Sequence, residues 1–482
     1  MSAEWGSLPL LSLRCVLDHL STEDALAALS TCRHWRSAIL LYEGKKELLK
    51  LNVKTLERNL FVTRLFKKYT RKLHIIIDSD NKDLENFMNF VLPQFFDTQN
   101  LQELVFIGPV YLQQKNIISA SKINRIITES LMFKNSHCLQ RFSLLGSIMA
   151  PVKNENDRYT HKYVEYYSRP LTFSTVSPFD TVFSRCNAGL MAFSSLRQLI
   201  FDFDLMSTPT LQTLSQMGQI TDLTLNIGQK RPVNLPLVDW NYANRNLRVT
   251  LIVITVPHCM MNMVIEEVFI EGLPLFSLKV LFCETLHVGI LQRVVLMYKE
   301  TIREFVWIDS PGNTVDVCGR IIKHHREPTE FTMSNVNPII LLCWQCTQLK
   351  RLVIHGYWVW QYDLLGIVRL RRSLQDLEIS AIYDRQSRFT TATRSDHMVR
   401  VLATDNQKIL DPEYIQQVNS YTEFEWTPAL WERLHPALRP RATLAQRIDY
   451  VLRESLRPAV RTMTKNHTWK TTLETAFSMM IE

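Results

Sequence analysis

The chain has 482 residues, of which 46% are hydrophobic and 21% charged, with 13 glycines and a formal net charge of +8. This length exceeds one ordinary domain, and the composition excludes a largely disordered protein. Nine widely spaced cysteines, without a signal peptide or a run of about 18 apolar residues, predict reduced thiols in the cytosol or nucleus. The modest charge lies on amphipathic stretches, so we expect neither a nucleic-acid nor a membrane partner.

The first fifty residues predict three short helices. A proline turn at Leu8-Pro9 leads into one apolar stripe at helical spacing, formed by Leu13, Val16, Leu17 and Leu20. Ser21 can cap a second helix, with an acid three residues later, and a third helix contains Trp35. Because about 40 residues rarely enclose a self-sufficient core, we expect this segment to pack on a partner or on the following domain.

The string Leu8-Pro9…Val16-Leu17…Leu20…Asp24…Leu26…Cys32-Arg33-His34-Trp35-Arg36 resembles the F-box. The resemblance implies binding to a Skp-type adaptor, which bridges to a cullin and a RING subunit. By that resemblance the adaptor-binding residues are Leu8, Pro9, Val16, Leu17, Leu20 and Trp35, with Trp35 holding the third helix. Leu10 and Leu11 depart from the family pattern because acidic residues are common there, and Thr31 stands where an aliphatic residue is usual. The alternative is a generic helical cap on a repeat array.

An apolar-x-x-apolar-x-apolar frame recurs in the body of the chain. Its copies start at Leu101, Leu139, Leu196, Ile220, Leu278, Ile302, Leu349 and Leu374. Starts at 196 and 220, 278 and 302, and 349 and 374 lie 24, 24 and 25 residues apart, the period of a leucine-rich repeat. Further strands at Leu73–Ile75 and Leu247–Val249, and a degenerate copy at Phe331–Met333, give roughly eleven strands in all.

Helical segments between these strands return the chain to the next repeat. They are visible at Thr55–Tyr69, Val288–Tyr298 and Asp363–Arg371. The predicted fold class is therefore α/β: an N-terminal three-helix F-box, an irregular leucine-rich-repeat solenoid with parallel strands inside and helices outside, and a helical C-terminal cap. A different α/β fold with several parallel strands is the alternative.

Residues between the buried positions of each strand, and just after them, should face the concave side. Acidic residues beside aromatics suit a target segment that carries Lys or Arg. The substrate-binding candidates are Asp202, Asp204, Asn226, Phe282, Glu284, Val306, Ile308, His355, Tyr357 and Glu378.

The predicted domains are the F-box at 1–50, the solenoid at 51–380 with an insertion near 147–187, a polar linker at 381–410 and a helical cap or tail at 411–482. In the insertion, Tyr159, Tyr163, Tyr166 and Tyr167 either anchor a partner or pack on the neighbouring repeat. The tail contains a helix at Leu444–Leu456, which either closes the open end of the solenoid or contacts a substrate.

Motifs for catalysis and for cofactors are missing from the sequence. Cys343-Trp344-Gln345-Cys346 lacks a second ligand pair, so it predicts helix-end core rather than a zinc or redox site, and His324-His325 is no better a metal pair. No phosphate loop or hydrolase motif occurs. We therefore expect no cofactor, no metal and no enzyme activity of its own. The resemblance implies a substrate-recognition subunit of an SCF ubiquitin ligase for one or more protein substrates. The alternatives are a repeat scaffold without a ligase role and, third, an enzyme with an unrecognised site.

Overall fold

The computed structural model describes residues 6, 8–20, 22–41, 48–77, 81–108, 131, 134–146, 190–203, 206–228, 238–256, 258–283, 285–309, 321–322, 337–384, 399–400, 412–429, 434–439 and 441–457. Several predictions lie outside these residues. They concern the 147–187 insertion with its four tyrosines, Asp204, Glu284, His324-His325, Phe331–Met333 and most of the 381–410 linker.

Strands and helices alternate along most of the described chain. The strands are β1 Leu48–Asn52, β2 Lys72–Ile76, β3 Glu103–Ile107, β4 Arg141–Leu145, β5 Gln198–Asp202, β6 Asp222–Ile227, β7 Arg248–Ile254, β8 Leu275–Leu281, β9 Leu286–His287, β10 Glu304–Ile308, β11 Ile321–Ile322, β12 Arg351–His355, β13 Val359–Trp360, β14 Asp376–Ile379, β15 Ile382–Asp384 and β16 Val399–Arg400. The helices are α1 Leu10–His19, α2 Thr22–Thr31, α3 Arg33–Leu41, α4 Leu56–Phe66, α5 Asn81–Asn86, α6 Thr208–Met217, α7 His258–Glu267, α8 Val288–Met297, α9 Pro338–Gln345, α10 Gln361–Leu370, α11 Pro412–Asn419 and α12 Leu444–Leu456.

One eleven-stranded sheet organises the molecule. Its order is β1-β2-β3-β4-β5-β6-β7-β8-β10-β12-β14, which follows the chain, and every pairing between neighbours is parallel. A sheet built from successive strands of one repeat, each returned by an outer segment, is a solenoid. The predicted fold class, a leucine-rich-repeat type solenoid preceded by three helices, is confirmed.

The apolar positions of the repeat frame form the main core. In β10, for example, Phe305 and Trp307 are fully buried in the cluster that also contains the returning helices. Helices α8 and α10 occupy Val288–Met297 and Gln361–Leu370, close to the predicted segments, and their inner sides join the same cluster. The alternating apolar residues of the strands and the apolar residues at helical spacing in the returning helices therefore pack into the same core.

The first strand of the sheet, β1, was not predicted. Leu49, Leu51 and Val53 alternate into the core, but no apolar residue stands three positions before Leu49, so the repeat frame is incomplete there. The expected degenerate copy at Phe331–Met333 falls outside the described residues. In the described sheet β10 pairs directly with β12.

The open edge of β14 is covered by the segment after α11. The Trp426 indole is buried in the main core and donates a hydrogen bond to the Leu377 carbonyl at 3.1 Å, and the Ala429 amide donates to the Ile379 carbonyl at 3.1 Å. Helix α11 packs on α10, where the Tyr414 hydroxyl donates to the Gln361 carbonyl at 2.8 Å. This part of the tail closes the end of the solenoid.

Helix α12 lies elsewhere, on the inner face of the sheet. It begins with a capping box, in which Thr443 and Gln446 satisfy each other's backbone amides at 3.3 and 2.9 Å. From Asp449 to Leu456 every residue except Arg453 is buried. The sequence predicts the bounds of this helix correctly. The helix does not close the open end of the solenoid, because it packs on the inner face instead.

Candidate adaptor and target surfaces

The three N-terminal helices share a small apolar interior. Leu17 of α1, Leu29 of α2 and Ile39 of α3 form one buried cluster, and Leu65 and Phe66 at the end of α4 pack against it. The three-helix unit therefore rests on the first returning helix of the solenoid. A unit of this size gains the additional burial that it needs from this contact.

The segment that enters α1 is held by a side chain from α3. A ring nitrogen of His34 lies 2.7 Å from the Leu8 carbonyl oxygen, and the Leu13 amide donates to the Pro9 carbonyl at 2.9 Å. Leu8 is half-buried and Pro9 is exposed. Beyond them Leu10 and Leu11 are 45% and 74% exposed. The start of α1 thus presents an exposed apolar edge, and the contact between His34 and Leu8 holds this edge in place.

Helix α12 divides its contacts between two groups of strands on the inner face. Leu452 and Leu456 pack with Ile76, Val105, Ile107, Leu145 and Ile200 of β2 to β5. Tyr450 and Val451 pack with residues of β7, β8, β10 and β12. The Tyr450 ring stands edge-on to Phe282, with the ring centroids 6.0 Å apart. A single helix therefore contacts both the early and the late repeats.

Polar contacts fix the direction of α12. The Lys279 ammonium binds the Glu454 carboxylate at 2.8 Å and its carbonyl at 2.9 Å, and the Asn226 amide donates to the Ser455 hydroxyl at 2.8 Å. Along β8, Lys279 precedes Phe282, whereas along the helix their partners come in the opposite order. Helix α12 thus runs antiparallel to the strands.

A network of charges continues from this contact across the late repeats. The Arg351 guanidinium of β12 binds Glu304 on one side, and Asp376 and Glu378 at 2.7 and 3.1 Å on the other. Ser277 donates to Glu304 at 2.6 Å. Ser277 of β8, Glu304 of β10, Arg351 of β12 and Asp376 of β14 occupy corresponding positions, so a polar ladder crosses the sheet.

The network determines the protonation of its carboxyl groups. Burial alone would raise the pKa of Glu304, but the charges of Lys279 and Arg351 outweigh burial and lower it to about 2. Burial likewise opposes ionisation of Glu454, and Lys279 with Arg457 still holds its pKa below the ordinary value. Both carboxyl groups are ionised at neutral pH, so these contacts are true ion pairs.

Comparison with known families identifies the three-helix unit. Residues 5–46 match the F-box domain. This part of the chain is an F-box domain. Two relatives agree over this region: F-box only protein 33 of Homo sapiens and of Mus musculus are each 40% identical to the chain over 65 residues.

The matches to these relatives are local. They cover 14% of this chain and 11% of each relative, so the chain matches about a tenth of their length. Among solved structures, an internalin from Listeria monocytogenes aligns with 79% of this chain and 90% of that chain, at 10% identity and a TM-score of 0.22. A score this low carries no argument, and the solenoid assignment rests on the strand order above.

The predicted adaptor residues occupy three environments within the F-box. Pro9 is exposed; Leu8, Val16, Leu20 and Trp35 are half-buried. Leu17 is 1% exposed and packs with Leu29 and Ile39 between the three helices, and its contact with an adaptor stays a prediction. The sequence analysis did not predict that Leu10 and Leu11 are exposed. Their position just before Leu13, outside the apolar stripe of α1, indicates it.

The predicted target-binding residues are enclosed rather than exposed. Asp202, Asn226, Phe282, His355, Tyr357, Val306 and Ile308 are all buried, and Glu378 is half-buried. The expectation of solvent exposure is wrong because α12 covers the inner face, and because Tyr357 packs over Trp307 with the ring centroids 4.2 Å apart. Whether these residues contact a target stays a prediction.

Metal and redox sites are not formed by the described side chains. Within the described ranges, no group of three or more His, Cys, Asp or Glu residues could hold a metal ion. Cys343 and Cys346 are free thiols in the main core, where burial raises the pKa of each to about 12. Among the described helices, none combines the length and apolar character that a membrane crossing requires.

Proposed function

We propose that this chain is the substrate-recognition subunit of an SCF-type ubiquitin ligase. Its F-box binds a Skp-type adaptor, and its repeat body holds a protein target in the cytosol or nucleus. The observation that supports this best is the F-box at residues 5–46, with its exposed apolar edge at the start of α1. In this role the chain supplies proximity and orientation, and the other subunits supply the chemistry.

The adaptor surface that we propose is centred on Leu8, Pro9, Leu10 and Leu11. Leu10 and Leu11 are exposed, whereas the neighbouring Leu13 and Leu17 are buried. Exposed apolar side chains on a rigid helix start are favourable anchors for a partner, since little conformational entropy is lost on binding. Val16, Leu20 and Trp35, which are half-buried, would extend this surface.

Co-purification with a Skp-type adaptor tests the proposal. The double change Leu8→Ala with Pro9→Ala, and separately Leu11→Ala, should weaken adaptor binding at least about tenfold, the usual effect of truncating a central anchor. Leu296→Ala is the matched control for Leu11→Ala, because Leu296 is 75% exposed but lies on α8, far along the chain from the F-box. All variants should keep the thermal melt of the unaltered chain.

Failure of the folded, unaltered chain to bind any Skp-type adaptor would contradict the proposal. The chain would then be a leucine-rich-repeat scaffold whose N-terminal helices cap the array. Adaptor binding that resists both sets of changes would keep the ligase role but move the contact surface away from the start of α1.

A further inference from the structure

The sheet and the main core are complete without α12. The main cluster extends from Leu49 of β1 to Trp426, and it contains no residue of the segment 434–457. Residues of α12 occur only in the two separate clusters on the inner face. The eleven strands and their returning helices can therefore keep their packing when α12 leaves the inner face, because α12 contributes no residue to the main core.

The inner face would not remain bare in water. Its late repeats present an apolar surface that α12 covers together with Leu434, Ala437 and Leu438 of the preceding segment. This surface is formed by Ile252, Ile254, Leu281, Phe282, Val306, Ile308 and Val353. Exposing an apolar patch of this kind is unfavourable, and in soluble proteins such patches mark binding sites. Helix α12 can thus leave favourably only when another apolar surface takes its place.

The groove also selects the helix that it accepts. Lys279 is 2% exposed and depends on Glu454 for its ion pair, and Asn226 pairs with Ser455. A buried ion pair adds little stability compared with an apolar contact, but it penalises any occupant that lacks the matching charge. Together with Ile448, Leu452 and Leu456, which are spaced by four residues along one side, these contacts define a pattern.

We propose that the inner face of the solenoid is a binding groove for an amphipathic helix of the target, and that α12 is its resident occupant. The target helix carries a glutamate opposite Lys279, a small hydroxyl residue next to it, and aliphatic residues at four-residue spacing on the adjoining side. This inference rests on the proposed function, because it names the place where the repeat body holds its target.

A fluorescent peptide of residues 441–458 serves as the probe for such a helix. The host is the full chain with Val451→Ala and Leu452→Ala, which removes one contact of α12 from each cluster. We expect the peptide to bind this host at least tenfold more tightly than it binds the unaltered chain. Glu454→Ala in the peptide should weaken binding tenfold or more, whereas Leu444→Ala, at an exposed position, should leave it unchanged.

Hydrogen exchange of the unaltered chain provides a second measurement that needs no variant. The amides of residues 449–456 should exchange at least tenfold faster than those of β7 and β8, because α12 opens locally. Equal protection would overturn the inference and make α12 a permanent part of the core, as would a folded host that ignores the peptide. Adaptor binding through the F-box is measured separately, so failure of the groove and failure of the ligase role are distinguishable.

Discussion

Lys279 of β8 and Glu454 of α12 are 175 residues apart in sequence, yet their charged groups meet at 2.8 Å in the interior of the solenoid. Both side chains are almost fully buried. This pair is the charged link between the inner face and the helix that covers it, and it connects the late part of the chain with the middle of the repeat array.

Breaking this pair should loosen α12 selectively. Lys279→Met leaves the Glu454 carboxylate buried without its main partner, which costs about 3–5 kcal/mol, whereas Lys279→Met combined with Glu454→Leu should recover most of the loss. Hydrogen exchange at α12 measures the free energy of its opening. Lys299→Met, at an exposed position, is the control and should have no effect. Equal losses in the single and double variants would show that the pair is not coupled.

Acidification should weaken the same contact. The folded pKa of Glu454 lies below its unfolded value of about 4.3, so the contribution of Glu454 is complete above that pH and is lost as the pH falls towards the folded pKa. Glu304 and Glu378 also have lowered pKa values, because nearby basic groups outweigh the effect of their burial. Glu304 and Glu378 are present in both the Glu454→Gln variant and the unaltered chain, so the difference between the two proteins reports Glu454.

Urea denaturation at pH 6, 5 and 4 measures the difference. The unaltered chain should lose stability more steeply on acidification than Glu454→Gln, by up to about 1.4 kcal/mol per pH unit, which corresponds to one proton. Identical slopes would mean that Glu454 titrates alike in the folded and unfolded chain.

Local sequence pattern was sufficient for the elements themselves. The repeat frame located β3 to β6, β10, β12 and β14, and the segment Leu444–Leu456 was predicted with the bounds that α12 has. The copy that starts at Leu278 is three residues too late, because Leu278 and Val280 of β8 stand opposite Phe305 and Trp307. Periodicity reports which residues share a face of a helix or strand, and both faces of α12 were visible in that way. Strand β1 was missed although Leu49 and Leu51 alternate as Leu73 and Ile75 of β2 do, and both strands lack the first apolar residue of the frame.

Long-range packing could not be predicted from the same pattern. The apolar stripe of α1 indicates one buried side, but it cannot distinguish burial within the three helices, where Leu17 lies, from burial against an adaptor. The strand positions on the inner face alternate as they would in an open horseshoe. Only the apolar cluster that they form with α12 and the segment 434–438 shows that they are covered. Such contacts depend on where distant segments meet, and pairs like Lys279 and Glu454 leave no local signal.

The buried cysteines should be chemically inert in the folded chain. Burial raises the pKa of Cys343 and Cys346 to about 12, so at pH 8 only about one thiol in ten thousand is ionised. Iodoacetamide should alkylate the exposed Cys15 but neither residue of the Cys343-Trp344-Gln345-Cys346 motif, as peptide mass mapping would report. In urea all three should react. Rapid alkylation of Cys343 in the folded chain would revive a redox role for the motif.

Two glycines with left-handed backbone conformations differ in the space around them. At Gly356, directly after β12, φ is +86° and an added Cβ would lie 2.3 Å from the carbonyl oxygen of Asp309, whereas at Gly218, after α6, φ is +65° and no atom lies within 4 Å. Gly218→Ala should therefore cost only the backbone strain of about 1 kcal/mol. Gly356→Ala should cost about 3 kcal/mol, since the Asp309 backbone must also move.

The two variants can be compared by urea denaturation at neutral pH. The larger loss at Gly356 should also weaken the hydrogen bond between the Tyr357 hydroxyl and Asp309, which spans 3.1 Å, because that contact links the same two loops. If the two alanine variants lose equal stability, the approach of the loops after β10 and β12 is not as close as the 2.3 Å contact requires, and strain at the left-handed positions alone accounts for both losses.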